Sequence, residues 1–144
     1  MLSLETALRV AIIGQEILIA AVLLYGQGGR AARLSGALFL LSVSAYLIVS
    51  NPLLSQAASI LSPLLTLLAI IVPYCLWLFA RAVFEAAWPR WWILAGFGLL
   101  AVFVWVIFIG GGSYGSDWVN VASIVTHIAS LTAVAHALWI AAKG

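Results

Sequence analysis

Long apolar runs separated by short polar breaks dominate the chain, and the breaks define the elements. Crossing about 30 Å of hydrocarbon takes roughly 20 helical residues at about 1.5 Å each. Five stretches meet or approach that length: Thr6 to Tyr25, Leu34 to Ser50, Gln56 to Ala80, Trp91 to Ile109, and Trp118 to Ala142. Each interruption has a chemical cause. Gly26-Gln27-Gly28-Gly29-Arg30 is a flexible, polar turn. Asn51-Pro52 ends the second helix, because proline disfavours the helical conformation at the residue before it. Trp88-Pro89-Arg90 breaks the chain after the third, and Gly110-Gly111-Gly112-Ser113 ends the fourth. Asp117 or Ser116 can cap the fifth. The pattern predicts an all-α fold: a single domain over residues 1–144, built as a polytopic transmembrane helix bundle of about five spans.

Composition turns that pattern into a statement about solvent. The apolar fraction is 66% and only ten side chains are charged, too few to build a water-facing surface. A net charge of +2 gives no footing for nucleic acid. Cys75 is the single cysteine, which excludes an intrachain disulfide. The first apolar run lacks a basic leader, is interrupted by Arg9, Gln15 and Glu16, and has no A-x-A cleavage pattern. It reads as a retained span and not as a signal peptide.

The positions of the charges give an orientation. Arg30 and Arg33 lie in the first loop, Arg81 and Arg90 flank the third, and Lys143 is in the tail, whereas the second and fourth loops hold no Lys or Arg. Positive charge collects on the cytoplasmic side, so the N-terminus is expected outside and the C-terminus in the cytoplasm of a bacterial inner membrane. Arg9 is the exception, close enough to the outer edge to snorkel. Tyr25, Trp77, Trp88, Trp91, Trp92 and Trp139 gather near the inner interface, and Tyr46, Tyr114 and Trp118 near the outer one. Pro63 and Pro73 are expected to kink the third span, either as shape adjustment for packing or as a hinge.

Polar residues within the spans are the candidates for chemistry. Glu16 lies eleven residues beyond Glu5, near the middle of the first span, where a carboxyl must be protonated, paired or facing a wet cavity. His127 lies ten residues beyond Asp117 on the fifth. Both fall roughly 15 Å deep, which makes Glu16 and His127 the expected intramembrane pair. Ser42, Ser44 and Thr66 fall at similar depth and could complete a polar layer, either fixing helix register or serving as a proton or ligand site.

His136 stands apart. Nine residues on an ideal helix turn through about 900°, so His127 and His136 face opposite ways and cannot share one metal. Ala129, Ala133, Ala137 and Ala141 form a stripe of small residues beside His136, which suits close approach of a helix or of a flat ring. That stripe is the expected helix-docking face. His136 is a candidate axial ligand to a haem iron or a chlorophyll magnesium, the alternative being simple packing. One chain with both histidines on one helix cannot supply a bis-histidine haem. No catalytic constellation, metal-ligand spacing, nucleophile elbow or P-loop occurs. No firm cofactor follows; contact with lipid, quinone or (bacterio)chlorophyll is compatible with the sequence.

Two stretches carry a family resemblance. Ala45-Tyr46-Leu47-Ile48-Val49-Ser50-Asn51-Pro52 and Pro73-Tyr74-Cys75-Leu76-Trp77-Leu78-Phe79-Ala80-Arg81-Ala82-Val83-Phe84, with the ending His136-Ala137-Leu138-Trp139, look like bacterial AraC-type transcriptional regulators with a polytopic membrane half. The likeness runs from about Ala31 onward. It implies a membrane sensor half without the DNA-binding output domain such relatives carry. A second, local likeness joins Ala133-Val134-Ala135-His136-Ala137-Leu138-Trp139 to the His-containing span of bacterial light-harvesting polypeptides.

The residues favour a non-enzymatic accessory or scaffold subunit. Its expected partners are lipid and either other integral membrane proteins, in a light-harvesting or electron-transfer complex for example, or further copies of itself. The sensor half is the alternative reading. A small transporter or proton-relay protein using Glu16 and His127 is the third.

Overall fold

The computed structural model describes residues 3–85, 89–110 and 116–143. The roles expected of Trp88, Gly111, Gly112, Ser113 and Tyr114, and of the chain end at Gly144, lie outside the described residues. Among the described residues seven α-helices follow in chain order: α1 Leu4–Tyr25, α2 Arg30–Val49, α3 Pro52–Ala57, α4 Ser62–Ile70, α5 Val72–Ala80, α6 Trp91–Ile109 and α7 Ser116–Lys143. A 3-10 turn, Ser59–Leu61, precedes α4, and a π-helical turn, Arg81–Glu85, follows α5. No strand occurs among the described residues. Among the described residues four helices (α1, α2, α6 and α7) are long and apolar enough to cross a membrane, and five spans result if the bent pair Ser59–Ile70 and Val72–Glu85 counts as one.

Local chemistry explains where the helices start. Ser3 caps α1 by accepting the backbone N–H of Thr6 at 3.2 Å, so the helix begins two residues before the apolar run suggests. Arg30 to Arg33 are helical as well, which moves the start of α2 to Arg30. Asn51 ends one helix and opens the next, accepting the N–H groups of Leu53 and Leu54 at 3.0 and 3.2 Å with Pro52 in the first helical position. At the other end of the chain, Asp117 lies inside α7 and not ahead of it, and the side-chain cap expected of Ser116 lies outside the described residues. Asp117 instead sits in the first turn, where the positive end of the helix dipole favours a carboxylate.

The expected third span, Gln56 to Ala80, is not one kinked rod. Pro63 and Pro73 each occupy the second position of a new helix, where the backbone N–H that proline lacks would have no intrahelical partner. The chain turns by 47° between the two segments.

Packing radiates from α2, which holds α1 on one side and α4 with α5 on the other. α7 packs chiefly on α5, and α6 leans on α4 and α7. The buried cluster joins Tyr74, Trp77 and Ala80 of α5 to Ala133 and Ala137 of α7, with Phe97 and Leu100 of α6 packed against it. Between α2 and α5, Ser42 and Cys75 are shut in together, their Oγ and Sγ atoms 3.5 Å apart. Gly36 of α2 leaves room for the ring of Phe79, whose Cε2 lies 3.0 Å from where a Cβ would stand. The outermost helix, α1, buries only Thr6 and Ala20.

Candidate functional site

A polar seam runs down the α1–α2 hairpin. Asn51 Nδ2 donates to Thr6 Oγ1 at 3.4 Å. One turn lower, Arg9 is paired with Glu5 at 2.9 Å and donates to Ser50 Oγ at 2.7 Å. Near mid-helix, Ser44 Oγ donates to Glu16 Oε2 at 2.7 Å. Within the hydrocarbon a carboxyl is costly without such a partner, and Ser44 supplies one from the neighbouring helix.

Glu16 and His127 therefore do not form the expected pair. No hydrogen bond or ion pair joins them among the described residues; His127 Nδ1 lies 2.6 Å from the carbonyl oxygen of Ser123, on its own helix. Equal depth was not enough, because α1 rests on α2 while α7 rests on α5 and α6. The polar layer divides in the same way. Ser44 joins Glu16, Ser42 donates to its own Leu38 carbonyl at 2.8 Å, and Thr66 donates to Ser62 at 2.8 Å.

His136 is built into an aromatic ladder. Trp77 Nε1–H donates to His136 Nδ1 at 2.7 Å, across 59 positions of sequence. The imidazole stacks on Trp139, with centroids 5.5 Å apart and planes 20° from parallel. Lys143 Nζ stands 3.7 Å from the centre of the Trp139 ring, and the Arg81 guanidinium 5.3 Å from that of Trp77. Phe97 meets Trp77 edge-on at 5.2 Å. Ladder and α7 together border a cavity of about 320 Å³, lined by Trp77, Phe97, Ala129, Thr132, Ala133 and His136.

The indole bond decides what the imidazole can do. An indole N–H only donates, so His136 Nδ1 must be the acceptor and the proton of the neutral ring sits on Nε2. A metal-bound histidine has the opposite polarity: one nitrogen ligates while the other donates its hydrogen outward. With this bond in place the neutral His136 ring presents an Nε2–H donor and no free lone pair. His127 has the other tautomer. A carbonyl oxygen can only accept, so in the neutral ring His127 Nδ1 carries the proton and Nε2 the lone pair, on an exposed side chain.

The alanine stripe does serve close approach, but to a helix of the same chain. Ala133 and Ala137 are 4% and 5% exposed, packed beneath Tyr74, Trp77 and Ala80. Ala129 is half-buried beside them, and only Ala141 is exposed. The stripe is therefore an internal seam and leaves little for an external partner.

Trp77 carries no mark of this role in the sequence. Its position near a helix end is that of an interfacial-belt residue, and nothing along the chain links it to His136. Among the described residues no three His, Cys, Asp or Glu side chains come together to hold a metal ion. Comparison with protein-family models, curated proteins and solved structures finds no match to this chain.

Proposed function

We propose that the chain is a non-enzymatic accessory or scaffold subunit of an integral membrane assembly, oriented with its N-terminus outside and its C-terminus in the cytoplasm. One observation carries the reading: the outward face of α1 holds an exposed amide, Gln15, that hydrogen-bonds to nothing among the described residues. Gln15 sits beside Glu16 at mid-helix, where water is scarce and an unpaired amide is costly. Leu8, Leu18 and Val22 continue the same exposed face, and Gly14 next to Gln15 has open space where a side chain would stand. A neighbouring membrane helix with a polar side chain at that depth would satisfy the amide and cover the face.

The test is purification in mild detergent with quantification of co-purifying chains. The wild-type protein should bring down another membrane chain, or a second copy of itself, in fixed ratio. Gln15→Leu should lose that partner without loss of helicity, since Gln15 is exposed and hydrogen-bonds to nothing among the described residues. A wild-type protein that elutes as a lone monomer from native membranes would defeat the proposal.

A further inference from the structure

We infer that the cavity beside His136 binds the planar carbonyl ring of a membrane-soluble quinone, with His136 Nε2–H donating to a ring carbonyl. The inference does not depend on whether the protein has a partner subunit.

Size, wall chemistry and hydrogen-bond polarity converge on that ligand class. A volume of about 320 Å³ is at the small end for ligand sites, which suits a single ring. Trp77 and Phe97 provide aromatic surfaces, and Ala129 and Ala133 a flat, low wall against which a ring can lie. The hydroxyl of Thr132 is already committed to the Ile128 carbonyl at 2.9 Å. The free polar atom of the lining is thus the protonated Nε2 of His136, which has no hydrogen-bond partner among the described residues. A matching ligand must bring an acceptor and a flat apolar body. A carbonyl ring meets both demands, whereas a metal tetrapyrrole would need the lone pair that Nε2 lacks. The imidazole is also held in place beforehand, pinned by Trp77 on one edge and by the Trp139 ring on its face. The cavity opens to the surface at His136 and Thr132, which are both exposed.

The ester carbonyl of a phospholipid offers the same acceptor without the ring, so the test separates the two. Purified protein in detergent is titrated with a decyl-tailed benzoquinone, and bound quinone is measured after gel filtration, with and without excess phosphatidylcholine. Wild type should bind one quinone per chain, undiminished by the phospholipid. His136→Leu, which removes the donor, should weaken binding about tenfold, the equivalent of one buried hydrogen bond. His136→Gln keeps an N–H donor and should stay within a few-fold of wild type. Thr132→Phe fills the mouth of the cavity from the exposed side, without disturbing the buried alanines, and should abolish binding. Equal retention of quinone by wild type and Thr132→Phe would mean partition into the micelle and would overturn the inference. Displacement of quinone by phosphatidylcholine would overturn it in favour of a lipid site.

Discussion

Arg9 and Arg33 cap each other's helices. Arg9, on α1, donates to the Leu47 carbonyl near the end of α2 at 3.3 Å; Arg33, on α2, donates to the carbonyls of Leu24 and Gly26 at the end of α1. The last carbonyls of a helix have no intrahelical donor and carry the negative end of its dipole, so a guanidinium suits them twice over. The hairpin is closed in this way at both ends, with Glu16 and Ser44 between.

Replacing either arginine with methionine should keep most of the stem's packing while removing the charged donor. Each change should lower stability in detergent unfolding by about 1–2 kcal/mol. Because the two sites share no partner, the double variant should lose the sum of the single effects to within about 0.5 kcal/mol. A strongly non-additive result would show that the hairpin is not clamped independently at its two ends.

Glu16 should prove coupled to Ser44 and indifferent to His127. Ser44→Ala leaves the carboxyl without its 2.7 Å donor, and Glu16→Leu removes the demand itself. Taken together they should cost less than the sum of the separate losses, with a coupling of about 1 kcal/mol or more. Combining Glu16→Leu with His127→Leu should be additive. The reverse pattern would restore the pairing expected from depth alone.

The contrast between those two partners shows what a single sequence can reveal. Apolar length and the Gly, Pro and Asn breaks place the limits of α1, α2, α6 and α7 within a few residues, whereas the stretch Gln56 to Ala80 is broken into shorter helices. Position along each helix follows as well, because rise per residue is fixed. Azimuth does not. Nothing in the residues around Glu16 says whether its neighbour is α2 or α7, since lipid-facing and helix-facing positions are both apolar. The same degeneracy hid the partner of the alanine stripe and the bond between Trp77 and His136. Arg9 looked like an outlier to the charge rule because its hydrogen-bond acceptors, on Leu47 and Ser50, are set by tertiary packing.

Substitutions in the internal seams should act on folding. Ala133→Leu forces three extra carbons against Tyr74 and Trp77, and overpacking of this kind costs about 1–3 kcal/mol. Gly36→Leu meets the Phe79 ring in the same way, while Gly36→Ala asks the ring to move only slightly and should be mild. Unfolding in detergent would report both losses. If Ala133→Leu left stability unchanged but released a co-purifying chain, the stripe would face outward after all.

The two histidines should differ in reactivity toward diethylpyrocarbonate, which acylates an imidazole nitrogen that bears a free lone pair. His127 has such a lone pair on Nε2, because its Nδ1 hydrogen is given to the Ser123 carbonyl, and its side chain is exposed. His136 has its lone pair on Nδ1, where the Trp77 indole occupies it at 2.7 Å. Attack at His136 must first break that bond, a cost of about 1 kcal/mol that corresponds to a rate roughly five- to tenfold slower. Mass spectrometry of peptides from briefly treated protein should therefore find His127 modified first. Exposure alone cannot explain such a difference, since both side chains are exposed. Trp77→Phe removes the donor while keeping an aromatic ring, and should bring His136 close to the rate of His127 without changing His127 itself. Equal rates in the wild-type protein would show that the indole does not hold Nδ1. The proton would then be free to sit on either nitrogen of His136, and an axial-ligand role for that residue would be open again.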